Sequence, residues 1–335
     1  MSTRPFPALD AATLAELSRA PASARGFSPL LGEPVVVLHA RRGALRGAHR
    51  LRVRQWLRQL PCPAIALPGT DQDLARACDV ALGEGEDAAA LVQHIRRNPI
   101  AASVLVQLLR ATERMATEDA LVAESLAYAT LQGGAEHQRW LKSQPAAPKV
   151  AREAGPAVVI SRAGAHLTLE LNRPANRNAM SVEMRDALNE AFELVLADRS
   201  IKSVQLSGRG KCFSTGGDLA EFGTVPDPAT GHAIRSVALP GRLLARCARR
   251  VECVLHSACI GSGIELPAFA RRVVARDNAS FQLPELSMGL IPGAGGTVSL
   301  PRRIGRQRTA WLALSGERIT AREALAIGLV DAIED

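Results

Sequence analysis

The sequence pattern changes near residue 150, and this change constrains the fold more than any other feature. Residues 87–142 carry helical periodicity, whereas from residue 157 onward short apolar strands alternate with helices and Gly-rich turns. Alternating strands and helices predict an α/β architecture with crossover connections. Residues 143–156, between the two patterns, are rich in Ala and Pro, which is typical of a linker.

Residues 1–86 are interpreted as a leader followed by a small α/β segment. Short apolar runs bounded by turn residues predict strands, and helical spacing of apolar residues predicts helices. We expect a helix at 10–19, a strand at 34–39, a second helix at 51–60, a second strand at 62–69, and a helix that runs into a strand at 73–82.

Residues 87–142 form the most helical part of the chain. Asn98-Pro99 ends one helix and begins the next, because proline is favoured in the first helical turn. Gly133-Gly134 marks the end of a third helix. Four helices are therefore expected at 87–97, from 98 to about 114, at 117–131 and at 136–141.

The C-terminal half, residues 157–335, is expected to contain strands and helices in alternation. Residues 157–160 and 166–171 are predicted to pair as strands. Ser181 is the predicted N-cap of a long helix that ends near Asp198, with apolar residues on one face. Further strands are expected at 204–207 and 253–256.

Composition indicates a folded protein without membrane spans. The chain has 335 residues, of which 47% are hydrophobic and 22% charged, and this fits one large or two modest domains. No apolar run reaches the roughly 18 residues that a membrane span needs. The first residues lack the apolar core of a signal peptide, so a cytoplasmic protein is expected.

The net charge of +8 is spread evenly along the chain. Residues 1–150 hold 18 basic and 14 acidic residues, and residues 151–335 hold 23 and 19, so each part nets +4. There is no basic tail or stripe, and aromatic residues make up only 3% of the chain. Nucleic-acid binding is therefore disfavoured, and an anionic small ligand fits better.

Cysteine and histidine spacing gives no sign of a metal site. The six cysteines contain no Cys-x-x-Cys pair, and the seven histidines lack the spacings of zinc ligands. We expect free thiols and no bound metal.

Three Gly-rich segments carry the candidate chemistry. The first, Lys211–Leu219, is predicted as a strand that enters a Gly-Gly turn, with a helix beginning near Asp218. Backbone N–H groups at such a turn are free to point at an oxygen, which makes the N–H of Ser214 a candidate donor. Taken alone, the segment fits an ordinary strand-to-helix turn better.

The second segment is Ile260–Leu266. Gly261 and Gly263 allow a ligand to approach the backbone closely, and the N–H of Ser262 is a second candidate donor. Glu265 lies in the first turn of the next helix, where the helix dipole alone also favours a carboxylate.

The third segment, 281–297, places Glu285 after Pro284 among apolar residues. Burial there raises the pKa of a carboxyl group, which suits proton transfer near neutral pH. The Gly293-Ala-Gly-Gly turn that follows opens another helix, and it also fits a loop that needs positive φ angles.

In this order and spacing, the segments resemble the crotonase superfamily, the enoyl-CoA hydratases and isomerases, across residues 157–335. The resemblance implies a crotonase-like spiral of ββα repeats in the C-terminal half. The motifs that carry it are Asn172–Ser181, Phe213–Leu219, Gly261–Glu265, Pro284-Glu285, Gly289–Thr297 and Leu314–Asp331.

The resemblance also implies roles for individual residues. The N–H groups of Ser214 and Ser262 form the oxyanion hole for a thioester carbonyl. Glu265 activates water, and Glu285 delivers a proton to C2. Isomerases typically need only the second glutamate, so the pair favours hydration of a trans-2-enoyl-CoA to a 3-hydroxyacyl-CoA.

Further residues are implied to bind the substrate. Arg302, Arg303 and Arg306 are candidates for phosphate contacts, although a solvated basic helix is the favoured interpretation. The residues implied to line the CoA path are Arg177, Asn178, Ala179, Met180, Thr215, Gly216, Gly217, Asp218, Leu219 and Gly261.

The N-terminal half is atypical of the family. The helices of residues 87–142, with Glu124 in the middle of the third, resemble those that relatives carry after their core. We hypothesise that they dock on the core in place of those helices, within the chain or across a trimer. Residues 1–86 are interpreted as a degenerate crotonase-like segment, and an unrelated helical domain is the alternative for 87–142.

The leading functional prediction is an enoyl-CoA hydratase, a lyase. Its substrate is an acyl-CoA thioester, with no separate cofactor, no metal, and neither nucleic acid nor membrane as a partner. A homo-oligomer, trimer or hexamer, is expected. The alternatives are an enoyl-CoA isomerase or another CoA-enolate enzyme and, in a different class, a non-catalytic acyl-CoA-binding subunit.

Overall fold

The computed structural model describes residues 6–145 and 153–334; the first five residues and the middle of the predicted linker lie outside this range. The front segment contains three short strands that form a parallel sheet in the order β1-β2-β3. Each expected element of this segment is present, with boundaries shifted by a few residues. In chain order the elements are α1 (Ala11–Leu17), β1 (Val36–Leu38), α2 (Gly47–Gln59), β2 (Ala64–Ala66), α3 (Gln72–Ala75) and β3 (Val80–Ala81).

The next part of the chain is helical, and all four predicted helices are confirmed. The starts of the first two helices are stabilised by carboxylates: Asp87 accepts the N–H groups of Ala89 and Ala90 in the first turn of the first helix. Glu136, from the last helix, accepts the N–H groups of Ile100 and Ala101, each at 2.9 Å. The helices are α4 (Ala88–Arg97), α5 (Pro99–Thr112), α6 (Thr117–Gln132) and α7 (Ala135–Ser143).

The C-terminal half combines a six-stranded sheet, a three-stranded sheet and flanking helices. In chain order its elements are β4 (Val158–Ala163), β5 (His166–Leu171), α8 (Val182–Ala197), β6 (Ser203–Gly208), α9 (Pro228–Val237), α10 (Pro240–Cys247), β7 (Val251–Leu255), β8 (Ala258–Ile260), α11 (Ser262–Glu265), β9 (Arg272–Arg276), β10 (Ser280–Gln282), α12 (Gly296–Ser315), β11 (Ile319–Thr320), α13 (Ala321–Ala326) and β12 (Ala332–Glu334).

The two sheets confirm the mixed α/β class. The larger sheet has the order β12-β9-β7-β6-β5-β4, and all neighbours are parallel except β4 and β5. The smaller sheet has the order β11-β10-β8. The spiral of ββα repeats stays a prediction.

One predicted helix is wrong. The helix expected near Asp218 is only a 3₁₀ turn, Leu219–Glu221, because the next residue, Phe222, has an extended backbone with a φ of −66° and a ψ of 131°. The next α-helix, α9, begins at Pro228, where the side chain of Asp227 caps the N–H of Thr230.

A continuous hydrophobic core joins the helices of residues 88–143 to the C-terminal half. Leu105 and Leu109 of α5 belong to the same buried cluster as Phe192 of α8 and Phe281 of β10. Helix α5 packs on α12, and α6 packs on α9. The front segment has a second core around Leu14 and Trp56. The division of the chain into separate domains stays a prediction.

A buried ion network joins the front segment to the rest of the molecule. Asp79, which has no exposed surface, is bound by the guanidinium groups of Arg110 of α5 and Arg306 of α12. Because a buried charge needs partners, this network ties three parts of the chain together. None of the described helices is both long and apolar enough to cross a membrane.

Candidate active site

Backbone contacts bring the first two Gly-rich segments together. Ser214, of the first segment, forms a parallel bridge with Cys259 of β8, the strand that leads into the second segment. Gly216 lies so close to Ile260 that a Cβ on it would be 2.8 Å from the Ile260 carbonyl oxygen. Gly216 and Gly261 have positive φ angles of 87° and 51°, a region that favours glycine.

The geometry contradicts Ser214 as an oxyanion donor. Its N–H donates to the carbonyl of Ala258 at 3.2 Å, and its hydroxyl donates to the carbonyl of Asn178 at 2.8 Å. The Ser214 N–H is therefore used within the protein. Three residues later, the N–H of Gly217 has no acceptor among the described residues. From the sequence, Gly217 was predicted only as a residue of the CoA path, although the Gly-Gly turn is a place where a free N–H is expected.

The structure leaves the second predicted donor free. Ser262 is the first residue of α11, and its N–H has no acceptor within the described part of the chain. The first N–H groups of a helix have no partner inside it. The Ser262 hydroxyl is buried and has no hydrogen-bond partner among the described residues.

Glu265 is a buried carboxylate held by backbone N–H groups. It is 2% exposed, and its Oε2 accepts the N–H groups of Ala294 and Gly296 at 2.8 and 2.9 Å. A Cβ on Gly296 would lie 2.6 Å from the same oxygen, so the backbone approaches the carboxylate closely. Hydrogen bonds from N–H groups favour the ionised form of a carboxylate.

Glu285 has a contrasting environment. Its Oε1 lies against Gly261, where an added Cβ would be 2.6 Å away, and its Oε2 is buried without a partner among the described residues. Burial raises the pKa of Glu285 to about 7. A buried carboxyl oxygen without a donor favours the neutral form of the group, although the backbone N–H of Glu285 itself opposes the rise in pKa.

The two glutamates influence each other electrostatically. Burial, followed by the charge of Glu285, raises the pKa of Glu265 well above its usual value, and the N–H groups of Ala294 and Gly296 oppose that rise. Two interacting buried carboxyls release their protons in steps that belong to the pair. Only Glu265 has two backbone N–H donors on one carboxylate oxygen, and these hydrogen bonds favour the ionised form of Glu265 relative to Glu285.

The structure adds a third buried glutamate, whose place in this site was missed from the sequence. Glu124 of α6 is 1% exposed. It accepts the N–H of Gly295 at 2.7 Å and both the N–H and the hydroxyl of Thr297, at 2.9 and 2.7 Å. Burial raises the pKa of Glu124 to about 7. Only the tertiary contact between α6 and α12 reveals this role.

The only tyrosine of the chain lies beside the cluster. The ring of Tyr128 contacts the backbone of Gly293, where an added Cβ would be 2.2 Å from the ring. The Arg235 guanidinium lies over the same ring, 4.7 Å from its centroid. Burial raises the pKa of Tyr128, the charge of Arg235 opposes that rise, and the charges of Glu285 and Glu265 add to it.

Most residues predicted to line the CoA path lie on two paired backbone segments. Met180 donates its N–H to the Gly216 carbonyl at 2.7 Å, and Asp218 donates its N–H to the Met180 carbonyl at 3.3 Å. Thr215 donates likewise to Arg177 at 3.2 Å. These contacts bring Arg177–Met180 and Thr215–Asp218 together. Leu219, which follows, is 54% exposed.

Asn178 does not line an open path. It is fully buried, accepts the N–H of Arg173 at 2.8 Å and donates to the carbonyls of Arg209 and Cys212. Its side chain therefore holds the turn in shape, and that prediction is wrong. Ala179 is also buried, at 5% exposure.

The three arginines of α12 that were candidates for phosphate contacts, Arg302, Arg303 and Arg306, all bind protein groups. Arg306 is buried against Asp79, and Arg303 binds Asp331 and two backbone carbonyls. Arg302 donates to the carbonyls of Val298 and Met115. Arg302 is exposed, as expected for a solvated basic helix, whereas Arg306 is buried and that expectation is wrong for it.

The helices of residues 88–143 contact the loop that carries Glu285. Asn98 donates its side-chain N–H to the Leu286 carbonyl at 2.8 Å, and the His137 ring hydrogen-bonds the Met288 carbonyl at 2.9 Å. A Cβ on Gly289 would lie 2.6 Å from the backbone of Glu136. These helices therefore border the candidate site. Their replacement of the family's C-terminal helices stays a prediction.

Comparisons with known proteins agree with the site. A family model described as "Enoyl-CoA hydratase/isomerase" matches residues 163–334. The 2,3-dehydroadipyl-CoA hydratase of Escherichia coli (strain K12) is 38% identical over 173 residues, which are 52% of this chain and 67% of that protein. The 1,2-epoxyphenylacetyl-CoA isomerase of the same strain is 34% identical, with coverage of 50% and 66%.

A solved structure gives the same relationship. The enoyl-CoA hydratase of Mycobacterium smegmatis superposes with a TM-score of 0.50 at 30% sequence identity, covering 53% of this chain and 70% of that chain. The family match covers half of the present chain and lies in its C-terminal half, where the Gly-rich segments and both predicted glutamates are found. The chain therefore belongs to the crotonase superfamily, within the enoyl-CoA hydratase/isomerase family.

Proposed function

We propose that this protein is an enoyl-CoA hydratase that adds water to a trans-2-enoyl-CoA. The observation that carries the proposal is the pair of buried glutamates with contrasting partners. Glu265 has two N–H donors on one oxygen, whereas Glu285 has a buried oxygen without a donor among the described residues. Hydration needs one base and one acid at the same time, and two unlike environments divide these roles.

In the proposed reaction, ionised Glu265 removes a proton from water. The water oxygen bonds to C3, and the electrons of the C2–C3 double bond move through the conjugated thioester to its carbonyl oxygen. Protonated Glu285 then supplies a proton to C2 as the enolate collapses. The product is a 3-hydroxyacyl-CoA, and a proton exchange through solvent resets the two carboxyls.

The charge that develops on the thioester oxygen needs donors. The N–H groups of Gly217 and Ser262 have no acceptor among the described residues, and both lie in the Gly-rich segments that meet at the bridge between Ser214 and Cys259. Fixed donors aimed at a developing oxyanion are a large part of the rate enhancement in acyl chemistry. We assign this role to Gly217 in place of Ser214.

Two classes of relatives bear on the choice of reaction. The 2,3-dehydroadipyl-CoA hydratase supports hydration, and the 1,2-epoxyphenylacetyl-CoA isomerase keeps an isomerase as the second candidate. An isomerase shifts a proton between carbons and needs no activated water. Glu265, fixed by two N–H donors, favours the hydratase. Hydration transfers no electrons, so the proposal requires neither a redox cofactor nor a metal. A homo-oligomer and a cytoplasmic location stay predictions.

The test is a comparison of hydration and isomerisation with the same protein. Purified protein is incubated with a panel of trans-2-enoyl-CoA and 3-enoyl-CoA thioesters, and the products are identified by mass spectrometry. A mass gain of one water, dependent on Glu265, supports the hydratase. Double-bond migration without water uptake favours the isomerase. Binding without conversion favours the acyl-CoA-binding subunit.

A further inference from the structure

Four consecutive backbone N–H groups at the start of α12 bind two different glutamates in strict alternation. The N–H groups of residues 294 and 296 donate to Glu265 of α11. Those of residues 295 and 297 donate to Glu124 of α6. The peptide units of this segment are covalently linked, so its orientation depends on both carboxylates.

The segment lies in close contact with Glu265. Gly295 has a φ of 104°, and a Cβ at Gly296 would overlap the carboxyl group of Glu265 at 2.6 Å. The backbone therefore lies directly on Glu265, and a rotation of one peptide unit removes a donor from it. Glu124 holds the opposite side of the same segment, with an additional hydrogen bond from the Thr297 hydroxyl at 2.7 Å.

The charged and titratable groups around Glu124 come from several elements. Glu265 of α11 and Glu285 of the 285–288 turn carry the nearby negative charges. Arg235 of α9 is the cation that faces it, and Tyr128 lies on its own helix. Removing the charge of Glu124 therefore lowers the pKa of both Glu265 and Glu285, because like charges raise each other's pKa.

We propose that Glu124 is a positioning residue for the water-activating carboxylate: through the 294–297 backbone, helix α6 orients Glu265. The helices of residues 88–143 then position a catalytic residue, in addition to packing on the C-terminal half. The kinetic part of this proposal rests on the proposed hydratase function, whereas the backbone part does not.

The kinetic test uses the full-length Glu124→Gln variant. Gln keeps the shape of the side chain but places an NH₂ group opposite a backbone N–H. We expect kcat to fall by about 10²-fold, as for a small misplacement of a reacting group, while KM stays near the wild-type value. The limb of the pH–rate profile that reports Glu285 should move to lower pH, because the charge of Glu124 raises the pKa of Glu285 in the wild type. A wild-type kcat with a wild-type profile would overturn the proposal.

The backbone test does not require activity. Amide hydrogen exchange over residues 294–297 is followed by mass spectrometry or NMR, in wild type and in the variant. We expect faster exchange at residues 295 and 297, and also at 294 and 296, whose donors bind Glu265. Unchanged protection at 294 and 296 would overturn the coupling, even if the protein hydrates no enoyl-CoA.

Matched variants separate positioning from stability. Glu136→Gln removes another buried carboxylate of the same helices, one that caps α5 instead of 294–297. It should lower the melting temperature without shifting the pH–rate profile. Should Glu124→Gln not fold, Thr297→Val removes only the hydroxyl contact, and Thr297→Ser restores it. The Val variant should show the same changes in amide exchange and in the pH–rate profile, but smaller ones. If the Val variant has the amide exchange and the pH–rate profile of the wild type, the proposal is overturned.

Discussion

Glu124 of α6 and Glu265 of α11 are far apart in the sequence, yet they bind alternate N–H groups of one backbone segment, residues 294–297. This relationship unites the two halves of the chain at one site. The helices that precede the linker supply Glu124, and the C-terminal half supplies Glu265. Chemistry at this site therefore depends on contacts that cross the whole molecule.

Replacing Glu285 with Gln should abolish most of the turnover. The amide cannot supply a proton to C2, and loss of a general acid costs about 10²- to 10⁴-fold in rate. Acyl-CoA affinity, measured by calorimetry, should change little because the side chain keeps its size. Glu170→Gln is the control, since Glu170, which lies on β5, forms a surface ion pair with Arg209. Wild-type turnover in Glu285→Gln would remove this residue from the mechanism.

Ser262 tests the role of a backbone donor. Ser262→Pro removes the N–H at the first helical position, where proline is sterically tolerated. We expect kcat to fall by about 10²- to 10³-fold, as when one oxyanion donor is lost. Ser262→Gly keeps the N–H and removes a buried hydroxyl that has no partner among the described residues. The Gly variant should keep its activity, and an active, folded Pro variant would contradict the assignment.

The sequence predicts the elements of this protein well where local signals are strong. Asn98-Pro99 divides α4 from α5, and Ser181 caps α8 by accepting the N–H of Met184. The helix expected at Asp218 is wrong because the extended backbone of Phe222 ends it after one turn, and the local sequence carries no signal for that extended residue.

The site was predicted in part. The motifs identify Glu265, Glu285 and the N–H of Ser262, which have positions compatible with their proposed roles. The donor role of Ser214 was wrong because a backbone hydrogen bond to Ala258, between segments more than 40 residues apart, is invisible in the sequence. The contact of Glu124 with residues 295 and 297 is tertiary in the same way.

The stability of the protein should fall as the pH rises from about 4.5 to 7. Burial raises the pKa values of Glu124 and Glu285 from 4.5 to about 7, so the folded state binds more protons than the unfolded state in this window. Each group then lowers the free energy of unfolding by about 3 kcal/mol across the window. Urea unfolding at several pH values measures this slope.

Glu124→Gln should flatten that pH dependence, because the amide does not titrate. The comparison is the change in unfolding free energy between pH 4.5 and 7.5 in the variant and in wild type. An equal slope in both proteins would show that Glu124 has an ordinary pKa in the folded state.

The buried ion network at Asp79 should be important for stability. Asp79→Asn leaves Arg110 and Arg306 without their carboxylate, and breaking a buried pair costs about 3 to 5 kcal/mol. Asp73→Asn is the matched control, since Asp73 forms an exposed pair with Arg50 and should cost less than about 1 kcal/mol. Chemical denaturation measures both. Equal losses of unfolding free energy in the two variants would indicate that the buried pairs of Asp79 stabilise the fold no more than the exposed pair of Asp73.

The most direct test of the proposed function is the absorbance of the conjugated enoyl thioester. Purified wild-type protein is mixed with trans-2-enoyl-CoA substrates of increasing chain length, in parallel with Glu265→Gln and Glu285→Gln. We predict a loss of absorbance with wild type, with water added at C3, and almost none with either variant. Unchanged absorbance with wild type across the panel, while acyl-CoA still binds, would contradict the hydratase.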